Sequence, residues 1–323
     1  MPVMSDAPHI RIIFFGSTED SCIVLDKLST FHFPLLTCSL RAVVTQPPRP
    51  VGRTQRLTPT PVQAWATAHN IRVLSFASDD KKPWCYNNEQ GVIDALQPLK
   101  ADLLVSACYG QKIPLSSVAS ARYGGINVHP SLLPRWRGAD PVPWAILSGD
   151  RETGVSIVTI SEAFDAGAII AQKKIALADT DTSDLLRRRL FTIGADLLTN
   201  MLPGYIADPT HSSFSILHSS TYARRLTRDD GYEPWEAIEK SFTDANEAIR
   251  IDRKFLAFHH WPGLWTQIVI RDKGNVIDKT KRRMKIISLH FSLHTPHISL
   301  DLVQLEGKKP VPWKQFARAY FTS

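Results

Sequence analysis

The first half of the chain alternates short apolar runs with amphipathic stretches, and this alternation restricts the fold more than any other feature. Ile10 to Phe15, Leu40 to Thr45, Ile71 to Leu74, Leu103 to Ser106 and Ile126 to His129 read as buried strands; Asp20 to Ser29, Pro61 to Ala68 and Val92 to Leu96 between them read as helices. Strands joined through helices need crossover connections and so lie parallel in one sheet. The pattern predicts an α/β fold, a doubly wound Rossmann-like N-terminal domain whose ligands gather beyond the carboxyl ends of the strands. Gly16 follows the first strand, but the chain lacks Gly-x-Gly-x-x-Gly there. The second strand ends in Thr45-Gln46 rather than a carboxylate, which argues against a nicotinamide cofactor.

The strand ending at His129 carries the residues with most chemical potential. Side chains two apart share a face of a strand, so Asn127 and His129 point the same way before Ser131-Leu132-Leu133-Pro134 turns the chain. Another strand, Gly154 to Ser161, leads into Glu162-Ala163-Phe164-Asp165-Ala166-Gly167, a loop that offers a carboxylate. An amide and an imidazole can donate hydrogen bonds to an oxygen that gains negative charge, while the carboxylate orients the imidazole and stabilises positive charge on it. Each residue also has a plainer reading, as a turn asparagine, a structural histidine or a loop-capping aspartate. The cysteines, Cys22, Cys38, Cys85 and Cys108, form neither a C-x-x-C pair nor a zinc pattern with nearby histidines. They read as reduced thiols, Cys108 as a small buried apolar residue, and no metal is expected.

Downstream, Pro141 to Leu147 reads as a helix, Ala168 to Ile175 as a strand, and Ser183 to Met201 as an amphipathic helix with Arg187, Arg188 and Arg189 on its solvated side. Residues 206–220 are polar, Ser-rich and aperiodic, a linker between a domain at 1–205 and another at 221–323. Beyond it a helix, Asp244 to Phe258, precedes the strands Trp265 to Arg271, Met284 to Leu289 and His297 to Leu305, which suggest a small β-barrel. Residues 221–323 hold 18 Lys+Arg against 12 Asp+Glu, and residues 1–220 hold 20 against 19, so +6 of the net +7 lies in the last third. That imbalance fits either a polyanion partner or a solvated basic surface, and the cluster from Lys279 to Lys285 fits either phosphate contacts or defence of an edge strand. No apolar run approaches the ~18 residues of a membrane span, and no signal or transit pattern opens the chain. The expected location is cytoplasmic, with the mitochondrial matrix as the alternative if the start is internal.

The run Asn127-x-His129-x-Ser131-Leu132-Leu133-Pro134, with Asp165 about one strand further on, resembles the active-site signature of the folate-dependent formyltransferases. The likeness extends through Arg11 to Gly16, Thr45 to Arg53, Ala107 to Gly110, Trp136 to Ala139, Tyr222 to Leu226, His260 to Pro262 and Leu305 to Lys309. It implies Asn127, His129 and Asp165 as catalytic residues, 10-formyltetrahydrofolate as formyl donor, and no metal. It also implies a folate cleft formed by Cys108, Tyr109, Gly110, Ser131, Leu132, Leu133, Pro134, Ala163 and Phe164, largely through backbone groups, and an OB-like C-terminal barrel.

Within the family the chain is similar to the branch that formylates initiator methionyl-tRNA. The Pro- and Arg-rich loop from Gln46 to Pro61 resembles the loop by which that branch enters the acceptor stem, which implies roles for Arg49, Arg53 and Arg56. Arg225, Lys281, Arg282 and Arg283 would meet tRNA phosphates, and the protein would act as a monomer with no membrane partner. Two rival readings are a formyltransferase for a small amine and a catalytically silent RNA-binding protein that keeps the fold.

Overall fold

Ile12 and Phe14 of the first strand are buried on one face of a sheet with Val24, Leu25 and Phe191, while Ile13 and Phe15 are buried on the other with Val92, Leu96 and Leu104. A sheet with two apolar faces must be covered on both. The structure, a computed structural model, describes residues 9–31, 36–52, 54–208, 220–272, 275–292 and 297–321, and of 270–272 and 275–280 the backbone only.

In the first two-thirds of the chain the described strands and α-helices are β1 (His9–Phe15), α1 (Glu19–Ser29), β2 (Thr37–Thr45), β3 (Arg49–Val51), β4 (Arg56–Thr58), α2 (Pro61–Ala68), β5 (Val73–Ser75), α3 (Glu89–Leu96), β6 (Leu103–Ser106), α4 (Leu115–Ser120), β7 (Gly125–His129), β8 (Arg137–Gly138), α5 (Pro141–Leu147), β9 (Glu152–Thr159), β10 (Ile169–Ala176) and α6 (Ser183–Ala207). They are followed by β11 (Tyr222–Ala223), α7 (Trp235–Lys240), α8 (Ala245–Ala257), β12 (Trp265–Asp272), β13 (Asn275–Ser292), β14 (His297–Leu305), β15 (Val311–Pro312) and α9 (Trp313–Tyr320). The chain forms two compact units. One contains residues 1–141, 152–176 and 187–223, the other 142–151, 177–186 and 224–323.

In the first unit seven strands run in the order β10-β9-β7-β6-β1-β2-β5. The five strands from β7 to β5 are parallel, as the crossover pattern predicts, and α1 starts where expected because Thr18 and Ser21 close a capping box. β9 and β10 are antiparallel and make the sheet mixed. They follow one another through a connection too short for a crossover, which permits only a hairpin.

Two expectations are corrected. α6 passes Met201 and Pro203 and ends at Ala207, inside the span read as linker, because Leu202 and Ile206 continue its buried face. The rest of that span, residues 209–219, lies outside the described residues. Arg187 is not merely solvated, since its Nε donates to the buried Asp20 carboxylate at 2.6 Å.

The second unit holds a four-stranded antiparallel sheet, β12-β13-β14-β15, consistent with a small barrel-like domain. Its core joins Ile251 of α8, Met284 and Ile286 of β13, Val303 of β14 and Phe316 of α9. β13 lies between β12 and β14, but its pairing with β14 runs only from Met284 to Ser292, so Lys281 and Arg282 lie on a stretch that pairs with β12 alone, where an edge-strand role fits them. Glu233 is buried there. Burial alone would raise its carboxyl, but Arg250, held at 2.7 Å by two nitrogens, and Lys254 at 2.6 Å keep it below the usual carboxylate range. Among the described residues no helix is long and apolar enough to cross a membrane.

Two glycines test this packing in opposite directions. A Cβ on Gly154 would stand 2.2 Å from Lys173 O, across the β9–β10 pair, whereas one on Gly204 would meet nothing within 4 Å. Gly154→Ala should cost about 1–3 kcal/mol through overpacking, and Gly204→Ala should gain about 0.5–1 kcal/mol as a helical Gly→Ala change. Urea unfolding of the two variants measures both.

Candidate active site

The register of β7 places the site. Asn127 pairs with Ser106 of β6 on one side and Val158 of β9 on the other, and His129 pairs with Ser156. Ile126 and Val128 are committed to the core, so alternation turns Asn127 and His129 to the opposite face. The β9–β10 hairpin then delivers Asp165. Thr159 closes its neck, donating its N–H to Ala168 O at 2.9 Å and accepting Ala168 N–H on its hydroxyl at 2.8 Å. Gly167 packs so closely here that a Cβ would lie 1.9 Å from Thr159 O. Asp165 itself is left-handed, at φ +53°.

The three residues read from the sequence converge. Asp165 Oδ1 accepts from Asn127 Nδ2 at 3.0 Å and lies 3.4 Å from His129 Nδ1. Its Oδ2 accepts the Gly138 backbone N–H at 3.0 Å. The side chains of His129 and Asp165 are only 4% and 9% exposed. His129 Nε2 faces Trp136 O at 2.9 Å. A carbonyl oxygen only accepts, so that nitrogen carries the hydrogen of the pair.

Reasoning from residue types passes over Trp136 and Gly138, which act through the main chain. Their signal was the Trp136-Arg-Gly-Ala139 motif. Trp136 is left-handed at φ +60°, and its N–H donates to Thr221 Oγ1 at 2.8 Å. Arg137 joins this segment to the Asp165 loop by donating to Phe164 O at 2.8 and 3.3 Å. Ser156 and Gln172 were also missed. Ser156 Oγ donates to Ser131 O at 2.6 Å and accepts from Leu133 N–H and Gln172 Nε2, fixing the turn after β7. A serine at a fully buried strand position was the available clue.

Several residues expected at a folate cleft shape its loops rather than face outward. Tyr109 is buried, accepts from the Tyr86 hydroxyl at 2.9 Å and packs edge-on against Phe15. Leu133, followed by a cis bond to Pro134, is buried with Val158 and Ile169. Ser131 donates its hydroxyl to Arg135 O at 2.7 Å. Leu132 and Pro134 are half-buried, and Ala163 and Phe164 are exposed. Cys108 and Gly110 have positive φ, +51° and +83°. Burial pushes the Cys108 thiol up to about 12, which leaves it neutral near pH 7 and a poor nucleophile.

The basic residues fall in separate places. Arg49 and Arg56 are exposed on a two-stranded ribbon, β3 with β4, within the span read from the sequence as a Pro- and Arg-rich loop. Arg53 lies outside the described residues. Arg225 and Lys281 are exposed, and Arg282 is half-buried. Arg283 is engaged within its own unit, its guanidinium 5.0 Å from the Trp265 ring centre and 3.8 Å from Glu306.

Comparison with known proteins decides the family. Residues 10–202 match the formyl transferase family model. The chain belongs to the formyl transferase family. Asn127, His129 and Asp165 all lie within the matched span. Relatives include methionyl-tRNA formyltransferases of Methylococcus capsulatus, 36% identical over 78% of this chain and 75% of that protein, and of Listeria welshimeri, 39% identical over 92% of both. Family members and more distant solved structures share the fold. HypX of Aquifex aeolicus in complex with tetrahydrofolic acid has a TM-score of 0.57 at 13% identity, over 96% of this chain and 47% of that one. An N-formyltransferase of Helicobacter canadensis with folinic acid and dTDP-3-aminofucose has 0.54 at 18%, over 88% and 89%.

Asp165→Asn should destabilise the fold by about 1–3 kcal/mol, because whichever way the new amide turns, Asn127 Nδ2 or the Gly138 N–H meets a donor in place of an acceptor. Denaturant unfolding, with no substrate present, measures that loss.

Proposed function

We propose that this protein transfers the formyl group of 10-formyltetrahydrofolate to the amino group of initiator methionyl-tRNA, with Asn127, His129 and Asp165 as its catalytic residues. The observation that carries the reading is one buried carboxylate holding an amide and an imidazole beside each other on one strand. The folate supplies the formyl carbon that the amine attacks, and negative charge grows on the formyl oxygen. Asn127 Nδ2 has two hydrogens and commits one to Asp165, so the second is available to that oxygen. His129 Nδ1 stands 3.4 Å from Asp165, beyond the usual N–H···O distance. A hydrogen there is not fully engaged by the carboxylate and is open to the same oxygen, while Trp136 O keeps the ring in place. Asp165 would also organise a water that carries the proton from the attacking amine to N10 of the leaving folate.

We assign folate binding to the turns at Cys108–Gly110 and Ser131–Pro134 and to Ala163 and Phe164, with backbone groups as the principal contacts. The donor set fits such a ligand, since two neutral or cationic N–H groups face one way and no nucleophile stands among them. Residues 1–205 form the catalytic domain in this reading and 221–323 the tRNA-binding domain, acting as a monomer in the cytosol. The choice of methionyl-tRNA as acceptor is supported by the names of relatives, one of which aligns with 92% of the chain. It is also supported by the excess of 18 Lys+Arg over 12 Asp+Glu in residues 221–323 and by the exposed Arg49 and Arg56 on the ribbon. Arg53, Arg225, Lys281, Arg282 and Arg283 complete the proposed tRNA set.

Labelled formyl transfer to charged initiator tRNA, run against small amines, tests the reading; preference for a small amine would replace the acceptor. His129→Ala should lower kcat by roughly 10²- to 10³-fold, the scale of losing one oxyanion donor, with folate affinity nearly kept in equilibrium binding. Neutralising Lys281 and Arg282 together should weaken tRNA binding and reduce its salt slope by about 1–2, with kcat at saturating tRNA retained.

A further inference from the structure

The start of α6 and the turn that follows α8, both in the second unit, bring together three metal-ligating side chains that formyl transfer does not use. Asp184 lies in the first turn of α6, and His259 and His260 follow the end of α8. One carboxylate oxygen and two ring nitrogens stand within 4.8 Å of one another. Asp184 Oδ2 accepts the His260 backbone N–H at 3.2 Å and also meets His260 Nδ1. His259 Nδ1 is 3.4 Å from that same oxygen.

His259 Nδ1 is closed off from solvent and has no hydrogen-bond partner. The carboxylate oxygen nearest to it already serves two groups of His260, so nothing remains there for a third donor. A cation that replaces the hydrogen on His260 Nδ1 resolves this arrangement, because it frees a lone pair on that nitrogen and on the Asp184 oxygen. Two neutral imidazoles and a carboxylate each offer a lone pair, and such a nitrogen-rich set suits zinc and its neighbours rather than magnesium or calcium. The His259–Asp184 spacing agrees, because bonds of about 2.0–2.1 Å in a tetrahedral shell set ligand atoms roughly 3.3 Å apart, close to the 3.4 Å between His259 Nδ1 and Asp184 Oδ2, and His260 would draw back from its direct contact with Asp184 to admit the ion.

The surroundings hold the ligands. Phe255 packs edge-on against the His259 ring, with centroids 6.2 Å apart, and the Ser183 hydroxyl, next to Asp184, donates to Ala257 O. The His260 side chain is 78% exposed, which leaves the outer side of the cluster open to water. We propose that Asp184, His259 and His260 form a site for a divalent transition-metal ion of the zinc class, completed by water, which ties the start of α6 to the turn after α8.

The test titrates zinc into the chelator-stripped whole chain against a chromophoric chelator, and follows thermal unfolding and the zinc X-ray absorption spectrum. The expected result is one ion per chain, nitrogen and oxygen ligands only, and a raised Tm, since an ion that binds the folded state stabilises it. Losing a group that merely supports a metal ligand costs 10- to 100-fold, so losing a ligand should cost at least roughly 10²-fold. His259→Gln should show this. The exposed His260→Gln should show it too, in a protein whose unfolding without zinc is unchanged. Absence of saturable binding, sulfur ligands in the spectrum, or zinc affinity within about tenfold of the parent chain in both variants overturns the site.

Discussion

A buried carboxylate is expensive to desolvate unless its lone pairs are filled, and the site is organised around filling those of Asp165. Three segments contribute: Asn127 and His129 from β7, the Gly138 N–H from the turn after it, and the pinched β9–β10 neck that carries the aspartate. β7 and β9 share backbone hydrogen bonds, whereas the Gly138 segment, β8, pairs along its backbone with β11. The carboxylate makes them one unit, and it does so without using the second hydrogen of Asn127, so structural and chemical demands fall on different atoms.

The parts of this arrangement that follow sequence periodicity could be read in advance. The period of two in β7 put Asn127 and His129 on one face, and the loop bearing Asp165 was recognisable from the strand before it and from Gly167. Main-chain contributors were not, because nothing in the side chains of Trp136 or Gly138 announces that a carbonyl and an N–H will be used. Strand direction was missed for β9 and β10 although a clue existed, the connection between them being too short to cross the sheet. The helix read as Ser183 to Met201 runs on through Pro203 and Gly204 to Ala207 because Leu202 and Ile206 continue its buried face. In the ribbon, Pro50 opposite Leu57 is tolerated because a two-stranded pair has outer edges that need no ladder donor.

The basic surface divides by what each cation already does. Arg283 lies against Trp265 and Glu306 and contributes to its own unit's packing, while Lys281 is exposed. Counting positive charge in the last third therefore overstates what is available to a polyanion, and in the proposed function the share that remains would act through counterion release rather than base recognition.

The claim that Asp165 works by holding Asn127 and His129 in place is tested most directly by a double-mutant cycle of Asn127→Ala and Asp165→Ala, scored as kcat/KM for formyl transfer. Residues that act as one unit are far from additive. The account predicts a double variant no more than about threefold slower than the slower single variant. Losses that multiply would contradict it, because the two residues would then contribute independently.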